Sequence, residues 1–338
     1  MIRSLLCLAV ALATVLPAQV QTTTYVQESV LGNLGNVGPL GCSPTGLLAE
    51  SRSQILIPAR YLPGPGAVLL GLGALGSSSS GTNTTLTYGL LRITISRTTA
   101  TTLGASFAGN LPQPQTLLNV TNLTVPWQAT AFTPITFVNT YTHDGSSSLV
   151  IDIQKIVSPI GDATMKTIAN ARRTDLPRMI NAFGGTGSGA HAAATATVTT
   201  NSPLSLQLRW AGAGGTNTPT TKLKSDPTAP FRAPFEIGRT FDTTVQGQPG
   251  ALFATLQGVA LAAPPATFAG IAGKLWVANP VMSASGLLPA SGQHTVTQTI
   301  PNLPSLVGFY LATQSLLVTP AGVWQWSNMA DCFVTNGV

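Results

Sequence analysis

The sequence predicts an all-β chain made of two β-sandwich, jelly-roll-like domains joined by a Gly/Thr/Pro-rich linker. Three observations carry this. The 34 glycines and 25 prolines are spread along the chain rather than clustered, which leaves long helices little room. Threonine and valine, which suit a pleated and half-buried surface, recur in short runs. Those runs stand between turn signals at regular spacing, the mark of a sandwich or barrel rather than a parallel α/β sheet.

Charged residues make up 8% of the 338, while hydrophobic residues are an ordinary 44%. Soluble chains average roughly 25% charged residues, so surface polarity here falls to Thr, Ser, Asn and Gln. The formal charge of +6 comes from scattered residues, which argues against nucleic-acid binding. The densest basic group, Lys166, Arg172, Arg173 and Arg178, is interrupted by Asp175. It reads as a solvated strand or loop, with a polyanion site as the alternative.

Residues 1–18 read as a secretory signal: Arg3 supplies the positive end, Leu5 to Val15 the apolar run and LPA the small-residue cleavage end, with Ala13 as an alternative site. The run is shorter than the ~20 apolar residues that span a bilayer, and no later segment is long and apolar enough. The expectation is a secreted protein, extracellular or at the cell surface, with no membrane span after signal removal. Cys7 leaves with the signal, so Cys42 and Cys332 remain. In an oxidising compartment they can form one disulfide tying the first strands to the last; two separately buried thiols are the alternative.

Residues 19–40 have little pattern and read as an exposed lead-in. The first sandwich is expected over 41–211. Gln54 to Ile57 opens it, YLPGPG (Tyr61 to Gly66) is a proline-glycine turn, Ala67 to Leu72 is an apolar run and Ser77 to Thr85 a polar loop. In the next strand Leu91, Ile93 and Ile95 take one face and Arg92, Thr94 and Ser96 the other, which places it in the core, while Thr98 to Ser106 reads as an edge or loop. Short strands follow at Thr116 to Thr124 and Trp127 to Val138. A turn at Asp144 and Gly145 sits where a hairpin connection is expected, and after it Leu149, Ile151 and Ile153 alternate with Val150, Asp152 and Gln154. Residues 161–194 read as a loop excursion with at most a short helix, because Pro177 and the glycines at 184, 185, 187 and 189 interrupt the helical spacing. Thr195 to Thr200 and Leu204 to Trp210 return to strand, with Leu204, Leu206, Leu208 and Trp210 on one face.

The linker is expected at 212–235, with a linker's composition and no packing pattern. The second sandwich is expected over 236–338, a common size for one. Its strands are placed at Thr240 to Val245, Ala251 to Leu261, Lys274 to Ala278, Thr295 to Ile300, Leu306 to Leu317 and Cys332 to Thr335, the fifth of these buried on both sides.

Catalytic and cofactor chemistry finds little support. GLGALG at 71–76 matches the dinucleotide fingerprint literally, but SSSSGTNTT follows it in place of a helix. No acidic residue occurs between Glu50 and Asp144 to hold a ribose. A serine hydrolase needs a base, and His143, His191 and His294 each read as an exposed polar residue, with no G-x-S-x-G elbow present. No ligand spacing points to a metal, and no cofactor is expected. Asp144 in its turn and Asp152 on the polar side of a strand lack an apolar pocket that would raise a pKa. Asn83, Asn119 and Asn122 stand in N-x-T sequons. Of the five tryptophans, Trp324 and Trp326 share one face of a strand two residues apart. They are the candidate sugar platform, core or edge packing being the alternative.

Two stretches carry a resemblance. LRITISRTTATTLGASFAGNLPQPQTLLN followed by FVNTYTHDGSSSLVIDI, within residues 86–153, resembles a module of uncharacterised secreted proteins of planctomycete bacteria, and more remotely surface-adhesion modules of other bacteria. The stretch TVTQTIPNLPSLVGFYLATQSLLVTPAGVWQWSNMADCFV, 295–334, is similar to the terminal domain of the same proteins. Its pattern passes through a glycine and a glutamine, here Gly308 and Gln314, to a serine-asparagine pair, here Ser327 and Asn328. The resemblance covers roughly half of the chain. It implies a β-sandwich of jelly-roll type and supplies no catalytic residues.

The expectation from sequence is therefore a secreted, non-enzymatic structural or adhesive surface protein. It self-associates through open β edges or contacts a surface polysaccharide. A carbohydrate-binding protein using exposed tryptophan and an extracellular hydrolase are the alternatives.

Overall fold

The computed structural model describes residues 22–26, 33–35, 39–41, 49–74, 76–77, 82–128, 131–157, 166–169, 179–200, 206–212, 218–225 and 235–336. It is all β, as expected. In chain order the first group of strands is β1 (Thr22–Val26), β2 (Asn33–Gly35), β3 (Glu50–Ile57), β4 (Val68–Ala74), β5 (Gly76–Ser77), β6 (Thr84–Thr98), β7 (Gln115–Val120), β8 (Leu123–Trp127), β9 (Thr133–Thr142), β10 (Ser148–Val157), β11 (Lys166–Ala169), β12 (Met179–Gly184), β13 (Val198–Thr200) and β14 (Leu206–Ala211). The second is β15 (Thr220–Ser225), β16 (Phe235–Glu236), β17 (Thr240–Gln246), β18 (Leu252–Gly258), β19 (Leu261–Ala266), β20 (Ile271–Ala272), β21 (Leu275–Val277), β22 (Val281–Leu287), β23 (Gln293–Thr299), β24 (Tyr310–Val318) and β25 (Trp324–Thr335). Each strand pairs within its own group.

The first group forms a sandwich. Its larger sheet has the order β13-β12-β3-β10-β6-β7, with β8 also pairing along the long β6; it faces the sheet β1-β14-β4-β9. The alternating residues of β6 and β10 do what their pattern requires. Ile95, Ile151, Ile55 and Met179 are cross-strand partners in one buried row. Facing them from the smaller sheet are Leu206, Leu208, Trp210, Leu69 and Leu72, all fully buried. Each such aliphatic side chain contributes about 1.5–3 kcal/mol on burial. The glycines of GLGALG lie in this packing: Gly71 is in β4, where a Cβ would meet the Ile135 carbonyl oxygen of β9 at 2.5 Å. They let two strands approach rather than holding a phosphate.

The opposite face of the larger sheet is polar yet covered. Glu50, Arg52 and Gln54 of β3 lie beside Asp152 and Gln154 of β10. Two loops, 99–111 and 185–197, close over them and join through Phe107 N to Ala194 O (3.1 Å) and Ala196 N to Ala105 O (2.8 Å). Phe107 packs there on Ile180 and Ala182. The hydroxyl-rich tail after β6 thus ends in a roof over a buried polar platform.

Several sequence expectations are corrected. The Asp144-Gly145 turn is not a hairpin: β9 pairs with β4, while β10 pairs with β3 and β6. It carries the chain from one sheet to the other. It is held against YLPGPG by Gly66 N to His143 O (2.9 Å) and His143 N to Ala67 O (2.7 Å). Gly145 has φ +77° and leaves no room for a Cβ beside Pro65. Within 161–194, β12 is a full strand against β3; its Met-Ile-Asn-Ala-Phe run matches helical spacing, but burial on both faces decides it. The expected lead-in contains β1, paired with β14, and ends at a fully buried Leu40 whose carbonyl accepts from Tyr88 Oη at 2.7 Å. The expected linker contains β15, buried along most of its length.

The second group is also a sandwich, of β15-β17-β23 against β16-β25-β24-β18-β22, with the hairpin β19-β21 added. Residues 306–309 precede rather than begin β24, since Gly308 has φ +85° and Val307 and Phe309 are exposed. Strand β22 was not expected from sequence. Buried hydroxyl and amide groups stitch the sheets together: Thr221 Oγ1 lies 2.8 Å from Ser315 Oγ and 2.7 Å from Ser327 Oγ. Gln314 donates to Lys274 O and Ser327 O and accepts from Trp276 N. Gln314, Ser327 and Asn328, which mark the terminal pattern, are all structural here.

The two groups share a core. Leu275, Val277, Ala312, Trp326 and Met329 join the cluster of the first sandwich. YLPGPG makes the polar seam: Tyr61 Oη donates to Asp331 Oδ2 at 3.0 Å, and a Cβ on Gly64 would meet Gln325 Nε2 at 2.8 Å.

Candidate functional site

The two tryptophans do not act as a pair. Trp326 is 4% exposed, packed on Phe268 with ring centroids 6.2 Å apart, and belongs to the shared core. Trp324 is 45% exposed. The cover over Trp326 comes from the segment between β19 and β21, which the local pattern of β25 does not reveal.

Trp324 heads a row instead. It pairs with Val318 on β24, Val318 with Leu252 on β18, and Leu252 with Leu287 on β22, and paired residues share a sheet face. Leu252 and Leu287 are 55% and 63% exposed. The row crosses the half of this sheet face left open where the shared core ends. Val281 and Met282 extend the exposed apolar surface along β22. Between Asp242 and Asp331 the sole charged residue of the sequence is Lys274. This stretch therefore presents exposed apolar side chains with a single charged residue.

The polar clusters hold structure together. Glu50 is buried, and its carboxylate accepts from Gly187 N (2.6 Å), Gly189 N (2.7 Å) and His191 Nδ1 (2.9 Å). Burial raises its pKa, but these bonds outweigh it and hold the group below the usual carboxylate value. The glycine-rich run around 184–191 is thus a cradle for a carboxylate of the same chain. Glu50 is the only side-chain hydrogen-bond partner of the His191 ring among the described residues. Asp152 is buried and accepts from Arg52, Gln54 and Gln154, as a strut of the covered platform.

His143 is a correction: it is 1% exposed, not a surface residue. It lies near Tyr141 and Trp210, ring centroids 6.4 and 6.1 Å away. Burial pushes its pKa down to about 4, so the ring is neutral at pH 7. Asp144 at 3.9 Å is then neither an ion pair nor a hydrogen bond to it. His294 stacks on Phe253 at 5.0 Å, so the three histidines do not converge. Among the described residues no group of three His, Cys, Asp or Glu could hold a metal, and no helix is long and apolar enough to cross a membrane. Cys332 is buried; Cys42 and the arginines at 172, 173 and 178 lie outside the described residues. Asn83, Asn119 and Asn122 are exposed.

A cleft of about 230 Å³ opens between the two sheets of the second sandwich, lined mainly by Phe241, Ile300, Phe309 and Leu311, with Gln257 and Gln298 beside them. The two amides bond to each other at 2.7 Å. Its volume is below the roughly 300–1,000 Å³ of small-molecule sites.

No family model matches the chain, and no curated protein does. Among solved structures, a sporulation control protein from Bacillus subtilis, Spo0M, is similar at 12% identity over 34% of this chain and 49% of that one, with a TM-score of 0.18. A GH2 β-galacturonidase from Eisenbergiella tayi bound to galacturonate is similar at 10% identity over 93% of this chain and 44% of that one, TM-score 0.22. A tetra-tandem repeat from the extending region of a large adhesion protein is similar at 9% identity over 93% and 99% of the two chains, TM-score 0.22. The chain spans about half or less of the length of the first two. At such TM-scores none of these likenesses bears on function.

Proposed function

We propose that this chain is an exported, non-enzymatic structural or adhesive protein that works through surface contacts of its second sandwich. The observation that carries the reading is the open row Trp324-Val318-Leu252-Leu287 in a stretch with Lys274 as its one charge. Contacts of this kind suit a polymer, a matrix or a neighbouring copy better than a diffusing ionic substrate. The deeply held carboxylates favour the same reading, because Glu50 and Asp152 spend their hydrogen bonds on the fold. The test is fractionation of native material from the producing cells. The protein is expected in the surface-bound fraction; its presence wholly as a diffusible monomer in the medium would sink the reading.

A second reading is favoured by one side chain. The exposed indole of Trp324 on an open sheet face is the kind of platform on which sugar rings stack. A glycan array with wild type and Trp324→Ala separates the two: binding lost in the variant supports carbohydrate recognition, and no binding by either protein removes it.

A further inference from the structure

We propose that the open edge of β22 is a homotypic docking site, taking β22 of a second copy in antiparallel register about a two-fold axis. The inference rests on the adhesive reading above and names the surface and the partner. Strand β22 ends its sheet: β18 pairs with it on one side, and no strand among the described residues pairs on the other. An edge of this kind presents unpaired main-chain donors and acceptors, which natural chains usually blunt with charge, proline or a bulge.

In β22 the blunting is partial. The pairing shifts register at Thr255/Leu256, beside the 281–283 end, while Ala284 to Leu287 runs in regular register opposite Leu252 to Thr255. There is no proline and no charge in VMSASGL. Val281, Met282 and Leu287 are each more than half exposed.

Four of the other described edges are poorer acceptors. Pro134 interrupts β9, whose chain is also tied across to β7 by Gln115 Nε2 to Thr140 O and Asn139 Nδ2 to Thr116 O. Strand β13 has three residues and β16 two. On β23 the exposed positions are Gln293, Thr295, Thr297 and Thr299, with no apolar residue to bury.

Three features favour a second copy as the occupant. An antiparallel edge is self-complementary, so one patch serves both partners of a two-fold dimer. Both copies bring an uncharged surface, so pairing creates no like-charge contact. Joining two β22 strands also continues the sheet face that carries the Trp324 row, extending an apolar surface whose other half the first sandwich already covers.

The test is sedimentation equilibrium of the purified protein over a wide concentration range, with Ser285→Lys and Leu287→Lys as edge variants and Val138→Lys on β9 as the control. Thermal melting checks that each variant folds. A reversible wild-type dimer is expected, with the dissociation constant raised at least about 100-fold by either β22 lysine, since two copies then bring like charges together. The control should dimerise as wild type does. A wild type that stays monomeric overturns the proposal, as does a dimer that folded β22 variants leave intact. Surface retention is read separately, so a surface-bound monomer would overturn this pairing and leave the adhesive reading standing.

Discussion

Asn328 of β25 pairs with the main chain of Thr221 as a neighbouring strand would: its Oδ1 accepts from Thr221 N and its Nδ2 donates to Thr221 O, both at 3.0 Å. All of these groups are buried. One side chain thereby supplies the ladder that β15 lacks on that side. Replacing it strands a main-chain donor and acceptor together. Asn328→Ala is expected to destabilise the protein by about 2–4 kcal/mol, since each buried unsatisfied group costs about 1–3 kcal/mol. Asn328→Asp keeps the bond from Thr221 N but sets a buried carboxylate oxygen against the Thr221 and Met329 carbonyls, so it should destabilise at least as much as Ala; urea unfolding measures both.

The seam between the sandwiches turns on Asp331, which is buried and accepts from Tyr61 Oη at 3.0 Å and Tyr310 Oη at 2.5 Å. Tyr61→Phe removes the bond from the YLPGPG turn and leaves the ring. A loss of about 1.5–3 kcal/mol is expected for a hydrogen bond to a charged group, read as a lowered urea midpoint. An unchanged midpoint would show that the turn does not contribute to the seam.

His143 gives the protein an acid-sensitive stability. Its folded pKa of about 4 lies below the ordinary 6.5, so as pH falls through 6.5 the unfolded chain takes up a proton that the native ring refuses. Stability is full above that value and declines toward pH 4, by about 3 kcal/mol in all. Asp144 acts in a lower window. Burial raises its pKa, but bonds from Ser147 Oγ, Ser147 N and Ser146 N hold it well below the usual 3.8, so its contribution is lost only as pH falls below that value. Urea midpoints between pH 4 and 7 should slope in wild type and flatten in His143→Leu.

The Glu50 cradle should be visible in exchange. With Glu50→Ala the amides of Gly187 and Gly189 lose their acceptor, and their hydrogen exchange is expected to quicken by at least about tenfold, the equivalent of one lost hydrogen bond. Because the folded carboxylate has a lowered pKa, the same loosening should appear in wild type only as pH falls below the ordinary carboxylate value. Protection that survives the substitution would mean the loop is held from elsewhere.

The strongly periodic parts of the fold were legible. Leu91, Ile93 and Ile95, and Leu149, Ile151 and Ile153, are fully buried core residues as their alternation requires. Strand β22 was not legible because VMSASGL is short of β-branched residues, contains Gly286 and lacks alternation; its neighbour β18 holds it in place. Strand β15 was hidden for a related reason: its Thr and Lys residues look solvent-facing, yet Thr220 and Thr221 are buried, the Thr220 hydroxyl bonded to Gln246 of the neighbouring β17 and the Thr221 hydroxyl to Ser315 across the sandwich. The burial of Trp326 and His143 depends on Phe268 and on the contact with YLPGPG, both remote in sequence. Trp324 was visible as a candidate, but its row was not, because its members come from four strands.

The central claim is that the open row attaches the protein to a surface. The most direct measurement compares the surface-bound fraction of wild type with that of the triple variant Leu252→Ser, Leu287→Ser, Trp324→Ser in the producing cells, after circular dichroism and melting have shown that the variant folds. The account predicts that wild type is retained and the folded variant is released into the medium. Equal retention of the two would contradict it.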